Sequence, residues 1–248
     1  RNTGASTFML LAKSCHDLDW ISYFMGGRCL SVASFGSLVH FKPENKPTGA
    51  AERCLDCAVE ANCPYSAVRI YLGRVKEGAL GHPVSVVAAA PTLESVTQAL
   101  RSGPYGRCVY ACDNDVVDHQ VVAMLFEGGK TADFTMTGFS RYADRHTRLF
   151  GTRGEITGDG RKIEIFDFLS EKTTVIDAPP IPGPLSAHGG GDFGLMQNFV
   201  AAVAQNNPRL ISSTPEEILN SHLAAFAAEK VLCVKTTGPS FSVAITLV

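Results

Sequence analysis

The chain has 248 residues, of which 45% are hydrophobic and 19% charged, with a formal net charge of −2 at pH 7. That length can bury a full core, and the composition is that of an ordinary globular protein. Without a basic block there is no electrostatic case for nucleic acid or a membrane surface, and no apolar run approaches the roughly 18 residues of a membrane helix.

The first predicted helix follows Ser14-Cys15-His16-Asp17-Leu18-Asp19-Trp20, continues through Ile21 to Met25 and closes at Gly26-Gly27. At helical spacing His16, Asp19 and Trp20 share one face. Asp17 and Asp19 then fall at a helix start, where the macrodipole favours carboxylates. Cys29 to Phe41 reads as a buried strand. Residues 42–83 hold four of the 13 prolines, four of the 23 glycines and three of the eight cysteines and form an irregular excursion, with a helix from Ala67 to Leu72. Leu93 to Leu100 is a helix with Thr92 as N-cap. Val116 to Phe126 is a central strand, turned by Gly128-Gly129 into a second one over Thr131 to Thr137.

His146 to Phe150 and Lys162 to Phe168 flank a turn-rich stretch from Gly151 to Gly160, and Lys172 to Ile176 continues the alternation. The pattern is a meander, so the sheet is expected to be antiparallel. Pro179 to Pro184 reads as a crossing loop, and a helix from about Asp192 to Gln205 places Phe193, Met196, Val200 and Val203 on one face. Thr214, Pro215 and Glu217 form a capping box for the next helix, and Phe241, Val243, Ile245 and Leu247 alternate as a last strand. The expected fold is α+β: one domain over residues 1–248, a large, mostly antiparallel sheet with helices on one face.

Several groups carry candidate chemistry. An imidazole titrates near neutrality, so His16 suits proton transfer; the plain alternative is a helix-start histidine bonded to backbone. Lys13 either binds an anionic group or acts as an acid, or is simply solvated. Asp113, Asp115, Asp118 and His119 lead into a strand, where alternation turns Asp118 and His119 to opposite faces and lets one of them reach a ligand. Asp113-Asn114 suits a turn. Ahead of a helix, His188-Gly189-Gly190-Gly191-Asp192 offers free N–H groups to an oxygen-rich ligand, or Asp192 merely caps the helix. Gly189 to Gly194 satisfies G-x-G-x-x-G, but a Pro-rich loop precedes it where a dinucleotide site requires a parallel strand. Cys54, Cys57 and Cys63 have metal-like spacing, yet three thiols do not complete a tetrahedral zinc site, and a fourth ligand such as Cys108 or Cys112 has to come from folding. The default is no metal and packing by reduced thiols. The eight cysteines read as reduced rather than as a disulfide framework, which makes the cytoplasm the expected compartment.

His16-Asp17-Leu18-Asp19 is similar to the H-D-x-D stretch that opens the C-terminal domain of the Gfo/Idh/MocA oxidoreductases. Phe35-Gly36-Ser37-Leu38, Glu44-Asn45, Arg53-Cys54, Cys63-Pro64-Tyr65-Ser66-Ala67, Asp113 to Gln120, Phe150 to Glu155 with Gly158-Asp159, and His188 to Asp192 continue the resemblance in order. It implies the substrate-binding domain of an NAD(P)-dependent oxidoreductase that acts on CH–OH groups of a sugar, polyol or cyclic alcohol. His16 and Lys13 would serve the chemistry, and Asp19, Asp118, His119, His188 and Asp192 the substrate. The family's Rossmann domain would hold the NAD or NADP and is missing before His16, so this chain alone is expected to bind no cofactor and transfer no hydride. The family pairs through the sheet face, which implies a homodimer or larger homo-oligomer. Ala12 stands where many members carry an aspartate. That departure leaves open a non-catalytic binding or dimerisation module, and the His188 region leaves open an NAD-dependent glycosidase-like relative.

Overall fold

A computed structural model describes residues 2–141, 145–178, 187–211, 213–233 and 244–246, so the Pro179–Pro184 loop and Phe241, Val243 and Leu247 lie outside the described residues. The chain divides into two compact units, residues 1–138 with 220–248, and residues 139–219.

In the first unit, helix α1 (Met9–Met25) starts well before the predicted position and ends at Gly26, whose N–H bonds to the Ser22 carbonyl at 3.0 Å. Strand β1 (Cys29–Ser37) follows. The chain then leaves the sheet through short turns and a π-helical turn that passes into α2 (Arg74–Lys76), then α3 (Val84–Val87) and α4 (Leu93–Ser102). As expected, Thr92 caps α4: its hydroxyl accepts from the Ser95 N–H at 3.0 Å, and the Ser95 hydroxyl accepts from the Thr92 N–H at 2.9 Å. Leu72, Val84, Val96 and Leu100 form a small core of this excursion.

Strands β2 (His119–Phe126) and β3 (Thr131–Thr137) make the expected hairpin. Together with β1 and the short β8 (Ala244–Thr246) they form an antiparallel sheet in the order β3-β2-β1-β8. One sheet face is covered. Val32, Val122, Met124 and Phe126 pack with Leu10 and Leu18 of α1 and with Ala224, Ala225, Ala227, Ala228 and Val231 of helix α6 (Pro215–Cys233). Alanines let a helix lie close to a sheet, and each large apolar side chain buried here contributes roughly 1.5–3 kcal/mol. The other face is open: Phe35, Val121 and Leu125 are exposed, in register with one another or with neighbouring polar residues.

The second unit is a four-stranded antiparallel meander, β4 (Thr147–Phe150), β5 (Gly154–Gly158), β6 (Lys162–Asp167) and β7 (Lys172–Asp177). Two four-stranded sheets thus replace the one large sheet read from the sequence. β5 occupies the stretch expected to be turns. Gly154 lies in a strand because the neighbouring backbone crowds it: a Cβ there would lie 2.3 Å from the Phe166 carbonyl oxygen. Helix α5 (Gly191–Ala204) matches the prediction, with Phe193, Met196, Val200 and Val203 exposed to solvent. The Thr214 capping box is present at α6, with the Thr214 N–H donating to Glu217 at 2.7 Å and the Glu217 N–H to the Thr214 hydroxyl at 3.2 Å.

Candidate functional site

Helix α1 buries Leu10, Ser14 and Leu18 against the sheet and turns Lys13, His16 and Trp20 outward. His16 therefore sits in mid-helix, not at a helix start, and the macrodipole does not account for Asp17 and Asp19, because the helix begins at Met9, eight and ten residues before them. Its Nε2 lies 3.4 Å from an Asp17 carboxylate oxygen, with the imidazole 57% exposed. Neighbours in sequence do not face each other on a helix, so this is a loose contact rather than a tight orienting bond. Lys13 and Trp20 lie about one turn to either side of His16 on the exposed stripe, Asp19 is half-buried beside it, and Ala12 offers no carboxylate. The Trp20 ring is held edge-on by Phe24 at 4.6 Å between centroids. The stripe thus presents an accessible imidazole, an ammonium and an aromatic plane.

A second polar centre lies where β2 begins. Asp118 is buried, and one of its carboxylate oxygens accepts the backbone N–H groups of Val39 at 3.0 Å, His40 at 2.7 Å and Phe41 at 3.4 Å. Its other oxygen meets the half-exposed His119 ring at Nδ1, 2.9 Å away. Alternation had placed these two side chains on opposite faces. Asp118 precedes the first residue of β2, so strand geometry does not govern it, and the two pair instead. Burial pushes the Asp118 carboxyl up, but the His119 bond and the three N–H groups outweigh it and hold the group below the usual carboxylate range.

The same loop brings in residues that spacing did not single out. His40 Nε2 lies 3.0 Å from the Tyr110 hydroxyl, and the His40 ring packs against Phe41 and Tyr65. His40 and Tyr110 lie 70 residues apart in sequence, too far for any local signal; loop closure brings them together. Asp113 pairs with Arg107 at 2.9 Å, Asp115 accepts the Thr3 N–H at 2.8 Å, and the Asn114 amide donates to the carbonyls of Phe41 and Val109. The acidic run ahead of Asp118 is therefore loop architecture.

In the second unit, His188 Nδ1 lies 2.8 Å from an Asp192 carboxylate oxygen at the start of α5. His188, Gly189 and Gly190 all have positive φ, which bends the chain into the helix. Every strand pairing among the described residues is antiparallel, so Gly189 to Gly194 has no parallel strand to complete a dinucleotide site.

No family model matches the chain. It is 22% identical over 208 residues to YteT of Bacillus subtilis (strain 168), whose name proposes an oxidoreductase; the match covers 75% of this chain and 45% of YteT. Its fold resembles that of an oxidoreductase from Agrobacterium radiobacter crystallised with NAD+, L-tartaric acid and magnesium, with a TM-score of 0.52 and 11% identity over 90% of this chain and 46% of that one. UDP-N-acetylglucosamine 3-dehydrogenase GnnA from Acidithiobacillus ferrooxidans is also similar, with a TM-score of 0.48 and 13% identity over 89% of this chain and 45% of GnnA. The structural relatives are named as oxidoreductases and dehydrogenases, and the α+β fold implied by the motifs is the fold found. The chain spans about half the length of the proteins it matches. Among the described residues no helix is long and apolar enough to cross a membrane.

Proposed function

We propose that this chain is the substrate-binding part of an NAD(P)-dependent oxidoreductase that acts on CH–OH groups of a polyol, sugar or sugar-like hydroxy compound. The observation that carries the reading is the fold shared, over nine-tenths of this chain, with just under half of an oxidoreductase that holds NAD+ and a hydroxy acid. The described residues show no strand–glycine turn–helix cradle of the parallel kind, and in this reading they serve the substrate rather than the dinucleotide.

What the chain's own residues contribute is binding and proton handling. His16 takes the proton of the substrate hydroxyl, Lys13 steadies an anionic or hydroxyl oxygen one turn away, and Trp20 offers its ring to the C–H face of a carbohydrate-like ligand. Asp19 and His119 bind hydroxyls. Asp118 is saturated by its backbone donors, so it positions His119 rather than touching substrate. His188 and Asp192 act in the second unit as a hydroxyl-binding pair of their own. The open face of the first sheet, with Phe35, Val121 and Leu125, seats a second copy of the chain. The unpaired cysteines among the described residues suit a cytoplasmic location.

Ala12 favours a second reading, a binding module without catalysis, because a methyl group cannot orient the imidazole. Titrating the chain with inositol, hexoses and tartrate by calorimetry, and assaying NAD(P)+ reduction in the longest natural form of the protein, separates the two. The oxidoreductase reading expects saturable binding and a loss of about 10²- to 10⁴-fold in rate for His16→Ala. Binding with no reduction of either dinucleotide leaves the module reading, and an unchanged rate in His16→Ala removes His16 from the chemistry.

A further inference from the structure

Four cysteines from two distant stretches line one pocket: Cys54, Cys57 and Cys63 from the loop after β1, and Cys108 from the segment after α4. The backbone brings them there by specific contacts. Residues Cys54–Asp56 and Glu60–Asn62 form tight turns, in which the Cys57 N–H bonds to the Cys54 carbonyl at 3.4 Å and the Cys63 N–H to the Glu60 carbonyl at 3.0 Å. Arg53 and Arg107 pair in an isolated antiparallel bridge, and the Cys108 N–H bonds to the Glu52 carbonyl at 2.8 Å. The Arg53 guanidinium donates to the carbonyls of Leu100 at 2.8 Å and Gly103 at 3.0 Å, tying the loop to the end of α4. Gly106 allows the tight approach, since a Cβ there would lie 1.7 Å from the Leu100 carbonyl oxygen.

Cys54 lies within electrostatic range of the other three: burial pushes its thiol up most, and Cys108, Cys63 and Cys57 push it further. All four are unpaired. The other described thiols do not line this pocket: the Cys112 thiol donates to the Cys108 carbonyl at 3.2 Å, Cys29 lies beside the Ser31 carbonyl at 3.6 Å, and Cys15 stands on α1. The region around the pocket has short turns, one ten-residue helix and a small core, which is the setting where a metal cross-link adds folding energy.

We propose that Cys54, Cys57, Cys63 and Cys108 bind one structural zinc ion as a tetrahedral thiolate site. A four-sulfur donor set selects zinc among the common divalent ions, with Zn–S bonds of about 2.3 Å. As the side chains stand, no three ligating groups among the described residues converge on one metal-sized point, so binding turns the thiols inward between staggered χ1 rotamers. Four thiols give up their protons to solvent as four Zn–S bonds form. The tetrathiolate carries two net negative charges, and Lys46, held by Glu52 and close to Cys57 and Cys108, offsets part of them. This site is independent of the oxidoreductase reading.

The test is elemental analysis and native mass spectrometry of the full chain, purified without chelator and, separately, refolded from the reduced state with zinc. About one zinc per chain is expected. Cys54→Ser, Cys63→Ser and Cys108→Ser should each lower the zinc content at least fivefold, whereas Cys112→Ser and Cys15→Ser retain it. Cobalt in place of zinc should give the thiolate-to-metal absorption of a tetrahedral sulfur site in the wild type. Should the serine variants fail to fold, the wild type still decides the matter: a mercurial reagent must release zinc as it consumes four thiols, and a chelator must lower the melting temperature. Less than about 0.2 zinc per chain after refolding with zinc, iron as the bound metal, or a full equivalent in Cys108→Ser overturns the proposal.

Discussion

Asp118 with His119 and His188 with Asp192 are the same chemical pair at nearly the same separation, 2.9 and 2.8 Å, in opposite surroundings. The first carboxylate is 3% exposed and gathers three backbone N–H groups besides the imidazole. The second pair is open to water, with His188 83% and Asp192 61% exposed, one turn apart at the start of a helix. Distance alone therefore says little about what a histidine–carboxylate pair does. Where water is excluded and the backbone donates, the carboxylate is a structural anchor; where water competes, the pair is free to exchange its partner for a ligand.

The largest effect is expected at the anchor. Asp118→Ala removes the acceptor of the Val39, His40 and Phe41 N–H groups, and unmade hydrogen bonds to a buried charge are expensive, so a loss of about 3 kcal/mol or more in urea unfolding follows. A loss under about 1 kcal/mol would show that the loop closes without this carboxylate and would erase the contrast between the pairs. The same anchor sets an acid limit. Because its folded-state pKa is lowered, Asp118 contributes stability above its ordinary titration point and loses it as pH falls through the folded value. Urea midpoints should thus drop below about pH 4, and the drop should flatten in Asp118→Asn. An equal drop in the variant assigns the acid limb to other carboxylates.

How much of this was legible in the sequence varied with range. The N-cap at Thr92, the capping box at Thr214, the hairpin strand Thr131–Thr137 and helix α5 are local patterns, and each lies where the residues put it. Helix α1 was truncated because Phe8 makes no side-chain cap, so only the burial of Leu10, Ser14 and Leu18 against the sheet marks its first turns. β5 lies in a stretch whose local pattern is that of turns, because Gly154 answers to a crowded neighbouring strand, which no local rule reveals. The candidate site divides in the same way. His16 and Lys13 share an exposed stripe that helical spacing shows. The Asp118 cage and the contact of His40 with Tyr110 depend on chain closures of about seventy residues or more.

A smaller effect belongs to His119. Its ring is partly solvated, so His119→Ala should cost about 1 kcal/mol, the ordinary value of one hydrogen bond with a charged partner reached by water. It also removes one of the groups that hold the Asp118 carboxyl down, so the acid loss of stability should be smaller and should be complete at higher pH than in the wild type. Urea unfolding across the acid range reads both. If the acid limb stays in place, the three backbone donors alone fix the ionisation of Asp118, and His119 is left to whatever ligand it meets.

The smallest effect is expected at the open pair. Asp192→Ala breaks a contact that water already screens, so stability should stay within about 0.5 kcal/mol of the wild type. Affinity is a different matter: under the proposed function the variant loses a hydroxyl acceptor, and binding of inositol or tartrate, read by calorimetry, should weaken severalfold while the urea midpoint holds. A fall in stability comparable to that of Asp118→Ala would mean that the native protein covers this pair and that the two environments are alike after all. Unchanged stability together with unchanged binding would make His188 and Asp192 an ordinary surface contact, and the polar chemistry of the chain would then rest on the α1 stripe and His119.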